Sequence, residues 1–176
     1  MRRVISVWFP TFPIDRLQRI GAGPADGGPF VTSMHDGRRR VVTAAGAAAQ
    51  AIGIMPGMPL ANAQALVPGL GIVESEPDAD AAALMQLAAW CLRYAPLVAA
   101  DGPDGVWIDA TGCTHLAGGE EVLLTDLVGR LRRAGFAARA AVAGTPGVAH
   151  AVARYSGKEI AVVPSDSLKE MSHHCP

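Results

Sequence analysis

The chain has 176 residues, half of them apolar, with 15 basic and 16 acidic side chains and a net charge of −1. That length suits one domain, or one domain carrying a small insertion, and the balanced charge excludes bulk attraction to nucleic acid, so any such contact needs a local basic patch. No apolar run approaches the ~18 residues of a membrane span. The scattered cysteines Cys91, Cys113 and Cys175 form no CxxC pair and point to reduced thiols in a cytoplasmic protein.

The basic start Met1-Arg2-Arg3 leads into an apolar run too short for a secretory signal. Val4 to Phe9 predicts a strand, closed by Pro10 and Pro13, which cannot continue a ladder. Asp15 to Ile20 predicts a short helix, and the glycine-rich stretch from Gly21 to Pro29 a loop. Phe30 to Ser33 and Arg40 to Thr43 read as strands around the turn His35-Asp36-Gly37, with Arg38, Arg39 and Arg40 beside it. The alanine run from Ala44 to Ala51 predicts a helix ended by Gly53. Leu60 to Val67 predicts a second short helix, followed by Leu70 to Val73 as a strand or extended link.

After Pro77, Asp78 or Asp80 can cap a long helix running to about Arg93. Leu97 to Ala100 and Val106 to Asp109 predict a hairpin around Asp101-Gly102-Pro103-Asp104-Gly105. Glu120 to Arg133 carries Leu123, Leu124, Leu127, Val128 and Leu131 at helical spacing. Ala137 to Ala143 predicts a strand, Gly147 to Tyr155 a helix, and Ile160 to Val163 a last strand. With residues 21–76 set aside, the order strand, helix, strand, strand, helix, strand is the split-βαβ, ferredoxin-like pattern, which hosts many functions.

Four motifs stand in order along the chain. They are Thr43 to Gly57 (TAAGAAAQAIGIMPG); Tyr94-Ala95-Pro96-Leu97-Val98 followed by Val106-Trp107-Ile108-Asp109-Ala110-Thr111-Gly112; Gly112-Cys113-Thr114-His115-Leu116 with Gly118-Gly119-Glu120; and Thr145-Pro146-Gly147. In that order they resemble the Y-family (UmuC/DinB-type) translesion DNA polymerases, and most closely the family's non-catalytic, ImuB-like bacterial branch. The likeness runs from residue 1 to about 165.

The resemblance implies an α+β fold, with a ferredoxin-like βαββαβ palm from residues 1–20 and 77–165 and a small, mostly helical fingers insertion over 21–76. Residues 166–176 then read as a disordered or truncated tail, with the family's thumb and little finger absent.

Active members hold two magnesium ions on carboxylates. By the resemblance, those acidic positions fall on Trp8, Pro10, Asp104 and Gly105, so only Asp104 keeps its acid. Asp104 also reads simply as a hairpin-turn residue. The family's triphosphate contacts fall on Gly46, Ala49 and Pro146, none of which offers a side-chain donor. The expectation is therefore a pseudo-polymerase with no intact metal or nucleotide site and no cofactor.

Arg38, Arg39 and Arg40 are candidates for touching a nucleic-acid phosphate or a partner's acidic face, with a solvated turn as the other reading. Cys113 with His115 are too few for zinc, and His173-His174-Cys175 form a terminal cluster. The implied role is accessory: a scaffold for an error-prone replicative-type polymerase in damage-induced (SOS-type) synthesis. The implied partners are that polymerase, a RecA-like accessory protein and the sliding clamp, although the clamp-binding tail is missing from this chain. DNA binding alone is expected to be weak. Two other readings stand beside this one: an active Y-family polymerase fragment, and an unrelated ferredoxin-like binding domain.

Overall fold

A computed structural model describes residues 2–164. The tail expected over 166–176, with its His173-His174-Cys175 cluster, lies outside the described residues. The chain forms two compact units. Among the described residues, the first comprises 2–10, Ala82–Ala134 and 138–164; the second comprises Thr11–Ala81 with Gly135–Ala137.

The first unit is built on a five-stranded sheet in the order β5-β6-β1-β7-β8. Its strands are β1 (Val4–Trp8), β5 (Leu97–Asp101), β6 (Gly105–Asp109), β7 (Arg139–Ala143) and β8 (Ile160–Val162). β1 runs antiparallel to both neighbours, β6 and β7, while β8 joins β7 in parallel. The first four strands thus have the ferredoxin-like order, with β8 added at one edge.

Register sorts the side chains by face. Ile5 sits beside Ile108 and Val142, and Val7 beside Val106 and Ala140; all six are buried. On the opposite face Ser6 sits between Trp107 and Ala141. Helix α6 (Pro146–Tyr155) packs on β1 and β7, and its His150 stacks on Trp107, which fixes that face as the one α6 covers. Small residues there, Ser6 and Ala141 on the sheet and Ala149 and Ala153 on the helix, permit close approach. Helix α5 (Glu120–Arg133) packs on β7 and β8 and buries all five residues of its predicted stripe. Each fully buried Leu or Val contributes about 1.5–3 kcal/mol.

The second unit holds a three-stranded sheet, β3-β2-β4, formed by β2 (Phe30–His35), β3 (Arg40–Ala45) and β4 (Gly71–Glu74). Three short helices accompany it: α1 (Phe12–Arg19), α2 (Ala47–Ala51) and α3 (Leu60–Leu66). Val31, Val42, Ala49, Ile54, Leu60, Ala63 and Leu70 form one buried cluster, and Ile14, Leu17, Phe30 and Ala44 another.

Several boundaries differ from the sequence reading. α1 begins at Phe12, because Pro13 sits in its first turn, where a missing N–H costs nothing. Ala44 and Ala45 belong to β3 rather than to a helix: they pair with Thr32 and Val31, and that ladder outweighs alanine's helix preference. α4 (Pro77–Cys91) begins at Pro77, so Asp78 and Asp80 lie within its first turn instead of capping it. A 3-10 turn over Thr114–Ala117, which no periodicity announces, follows β6.

Candidate functional site

Trp8 ends β1, opposite Gly105 on β6 and Arg139 on β7. Its indole Nε1–H donates to Asp104 Oδ2 at 2.9 Å. The other oxygen, Oδ1, accepts from Nη2 of Arg154 on α6 at 3.0 Å. The same Arg154 nitrogen lies 3.7 Å from Asp101 Oδ2. The guanidinium groups of Arg139 and Arg154 stand 5.4 and 5.9 Å from the Trp8 ring, within cation–π range. One helical turn before Arg154, His150 Nε2 comes within 3.8 Å of Asp101 Oδ2, and its ring stacks on Trp107 with centroids 5.8 Å apart.

The β5–β6 turn is Gly102-Pro103-Asp104, and a hydrogen bond from Phe9 N–H to the Asp104 carbonyl, at 2.9 Å, fastens it to the end of β1. Asp104 is thus a turn residue, as expected, and it is also the acceptor that gathers Trp8 and Arg154. A side chain at Gly105 would crowd Asp101. A Cβ there would sit 3.1 Å from both the Asp101 carbonyl oxygen and Asp101 Oδ2. Pro10 lies two residues past the end of β1, and Pro146 occupies the first turn of α6 after Thr145.

In the second unit, Gly46 precedes α2, and a Cβ on it would meet Ile14 Cγ2 at 3.3 Å and the Phe30 carbonyl oxygen at 3.4 Å. Ala49 is fully buried among Val31, Val42 and Ile54, so this position belongs to the core. Gly46 also lines a recess of about 340 Å³ shared with Thr11, Asp15, Gln18, Phe30 and Ala137. Asp15, buried at its side, accepts from the Thr11 hydroxyl at 3.0 and 3.1 Å and from the Ala137 N–H at 2.9 Å. Burial outweighs those bonds and raises its pKa from 3.8 to about 6.

The three arginines of the β2–β3 turn are not equivalent. Asp36 accepts the backbone N–H groups of Arg39 and Arg38, which hold its carboxyl below the usual range. Arg40 pairs with Glu74 and donates to Ser33 Oγ at 2.8 Å. The exposed side chain of Arg39 lies 3.9 Å from Asp36, and Arg38 is exposed.

The sequence reading did not single out Arg154, Arg139 or Asp101. A signal existed for Arg154: it is the one arginine of α6, four residues after His150 and so on the same helical face. Its partners lie some fifty residues away, so spacing alone does not reveal them. Of the cations in the last turn of α5, Arg130 pairs with Asp126 at 2.8 Å and Arg132 pairs with Glu159. Cys113 Sγ donates to the Thr111 carbonyl, and among the described residues no group of three or more His, Cys, Asp or Glu side chains assembles a metal cage. Among them, too, no helix is long and apolar enough to cross a membrane.

Residues 25–154 match the IMS family, described as the impB/mucB/samB family. The protein ImuB of Caulobacter vibrioides, from strain NA1000 / CB15N and from strain ATCC 19089 / CIP 103742 / CB 15, is 50% identical over 113 residues. That stretch is 64% of this chain and 24% of the relative, so the match spans about a quarter of the relatives' length. Among solved structures, an insertion ternary complex of Dbh DNA polymerase superposes with a TM-score of 0.79 at 19% identity, over 96% of this chain and 51% of that one. DinB from Sulfolobus solfataricus superposes with a TM-score of 0.77 at 20% identity, over 96% and 50%. At such identity the likeness establishes the fold, which is that of the Y-family polymerases' palm and fingers. With the fold, the half-identical relatives and the family match in agreement, the chain belongs to the IMS (impB/mucB/samB) family.

Proposed function

We propose that this chain is the palm-and-fingers part of a non-catalytic, polymerase-like accessory protein that acts as a scaffold for an error-prone polymerase in damage-induced translesion synthesis. In this reading residues 1–20 and 77–165 serve as palm and 21–76 as fingers, in a cytoplasmic protein. The observation that carries it is the state of Asp104: each of its carboxylate oxygens already accepts a hydrogen bond, from Trp8 and from Arg154.

Magnesium demands near-octahedral oxygen coordination. Trp8, Pro10 and Gly105 supply no ligand, and a guanidinium faces the one acid that remains, so the residues present do not fit the metal pair that the fold family implies. The triphosphate positions support the same reading, because Ala49 is core and neither Gly46 nor Pro146 carries a side-chain donor. The implied partners are an error-prone polymerase, a RecA-like accessory protein and the sliding clamp. In the β2–β3 turn, Arg38 and Arg39 are the side chains best placed to meet a phosphate or an acidic partner, since Arg40 is engaged by Glu74.

The solved relatives include a protein named as a DNA polymerase, which favours a second reading, an active polymerase fragment. Primer extension separates the two. Purified chain with primed template, all four deoxynucleotides and Mg²⁺ or Mn²⁺ is expected to leave the primer unextended, and template-directed extension would overturn the accessory role. Co-purification with an error-prone polymerase tests the scaffold itself.

A further inference from the structure

Arg154 on α6 is largely buried, with its side chain 12% exposed. A guanidinium has no neutral form available in a protein, so a buried one needs anions. It meets two, Asp104 at 3.0 Å and Asp101 at 3.7 Å. Those acids lie three residues apart at one turn, and a shared cation relieves the repulsion between neighbouring carboxylates. Oδ2 of Asp101 is buried and accepts no hydrogen bond; its compensation comes from Arg154 and, at 3.8 Å, from His150. Arg139 approaches from β7 over the Trp8 ring. The acids of the turn are therefore met on the α6 side by protein cations.

We infer that Arg154 is a built-in counter-cation. It neutralises Asp104 and Asp101 where a metal-dependent relative would use an ion from solution, and it ties the β5–β6 turn to α6. Arg154 is a positioning residue: its charge, rather than its bulk, keeps the turn in place, and the fold of this face owes nothing to divalent cations. This inference rests on the reading that the site holds no metal, and the experiment is arranged so that the two can fail separately.

The test uses urea unfolding of the full chain, followed by tryptophan fluorescence. Wild type is expected to keep one midpoint in millimolar Mg²⁺, millimolar Mn²⁺ or EDTA. Arg154→Gln is expected to lower the midpoint, Arg154→Lys to lower it less, and Arg154→Gln combined with Asp104→Asn to lose less than the sum of the two single losses. Additive losses, or Arg154→Lys as damaging as Arg154→Gln, would show that Arg154 only fills space and would overturn the inference. A saturable Mg²⁺- or Mn²⁺-dependent rise in the wild-type midpoint, reversed by EDTA, would overturn it without any variant having to fold. Primer extension by wild type overturns the accessory reading, whereas additive losses in an inactive protein overturn only the counter-cation.

Discussion

The indole N–H of Trp8 donates to the carboxylate of Asp104 across 2.9 Å, joining the end of β1 to a turn 96 residues further along the chain. The tryptophan is half-buried at the strand end, so its ring packs and its polar tip is satisfied together. Trp8→Asp would supply the acid that the resemblance implies for this position, but it would remove this donor and set one carboxylate against another. The expected result is no primer extension and a stability loss of about 1–3 kcal/mol by urea unfolding. Trp8→Phe keeps most of the ring and gives up the bond, for about 1 kcal/mol. Extension by Trp8→Asp alone would show that the remaining positions are not limiting.

Gly105→Glu fails for a different reason. The 3.1 Å approach of its Cβ site to the Asp101 carbonyl and carboxylate oxygens forces backbone or Asp101 to move. It also places a new acid beside Asp101 and Asp104. A loss of about 1–3 kcal/mol is expected. Gly105→Ala, without the charge, measures the steric part by the same assay.

Asp15 gives the protein a pH dependence of defined sign. Burial raises its pKa to about 6, against 3.8 unfolded, so the folded state binds the extra proton between those values. Asp15 therefore favours folding most below about pH 4, and that contribution is lost as pH rises through about 6. At roughly 1.4 kcal/mol per pKa unit, the change is on the order of 2–3 kcal/mol. Asp15→Asn keeps an acceptor for the Ala137 N–H and is expected to flatten urea stability between pH 4 and pH 6. An unchanged slope would assign the pH dependence to other groups.

Arg16 holds the start of α4 within the second unit. It donates to Asp80 at 2.5 Å and to Glu76 at 2.7 Å, with the Arg16 and Asp80 side chains both nearly buried. Arg16→Ala leaves Asp80 buried without its cation, and a loss of about 3–5 kcal/mol is expected in thermal or urea unfolding. Glu76→Gln, at the exposed end, is expected to cost no more than about 1 kcal/mol. Similar losses for the two would mean that burial is not what sets the strength of this network.

Where the sequence spoke clearly, it did so through periodicity. The five apolar residues of α5 recur at helical spacing, and all five are buried. The strands of the first unit are short β-branched or alanine runs bounded by glycine and proline, so each was visible within a residue or two. Where it misled, pairing decided. Ala44 and Ala45 are helix formers by composition, and the partners Thr32 and Val31 hold them in β3. Asp80 reads as a cap by sequence, yet it lies within the first turn of α4 and pairs with Arg16, 64 residues earlier.

The sequence by itself carried the family's motif order, and the resemblance implies that Trp8, Pro10, Gly105, Gly46, Ala49 and Pro146 fall at the family's ligand positions. Substitutions of that kind are legible because a missing carboxylate or donor is a property of one residue. What fills each place is not, because it depends on residues remote in the chain. Only the tertiary structure brought Arg154 and Asp101 to Asp104, packed Asp101 over Gly105, and closed the core around Ala49. Buried charges must find partners wherever the fold brings them, and no spacing along the chain encodes that meeting.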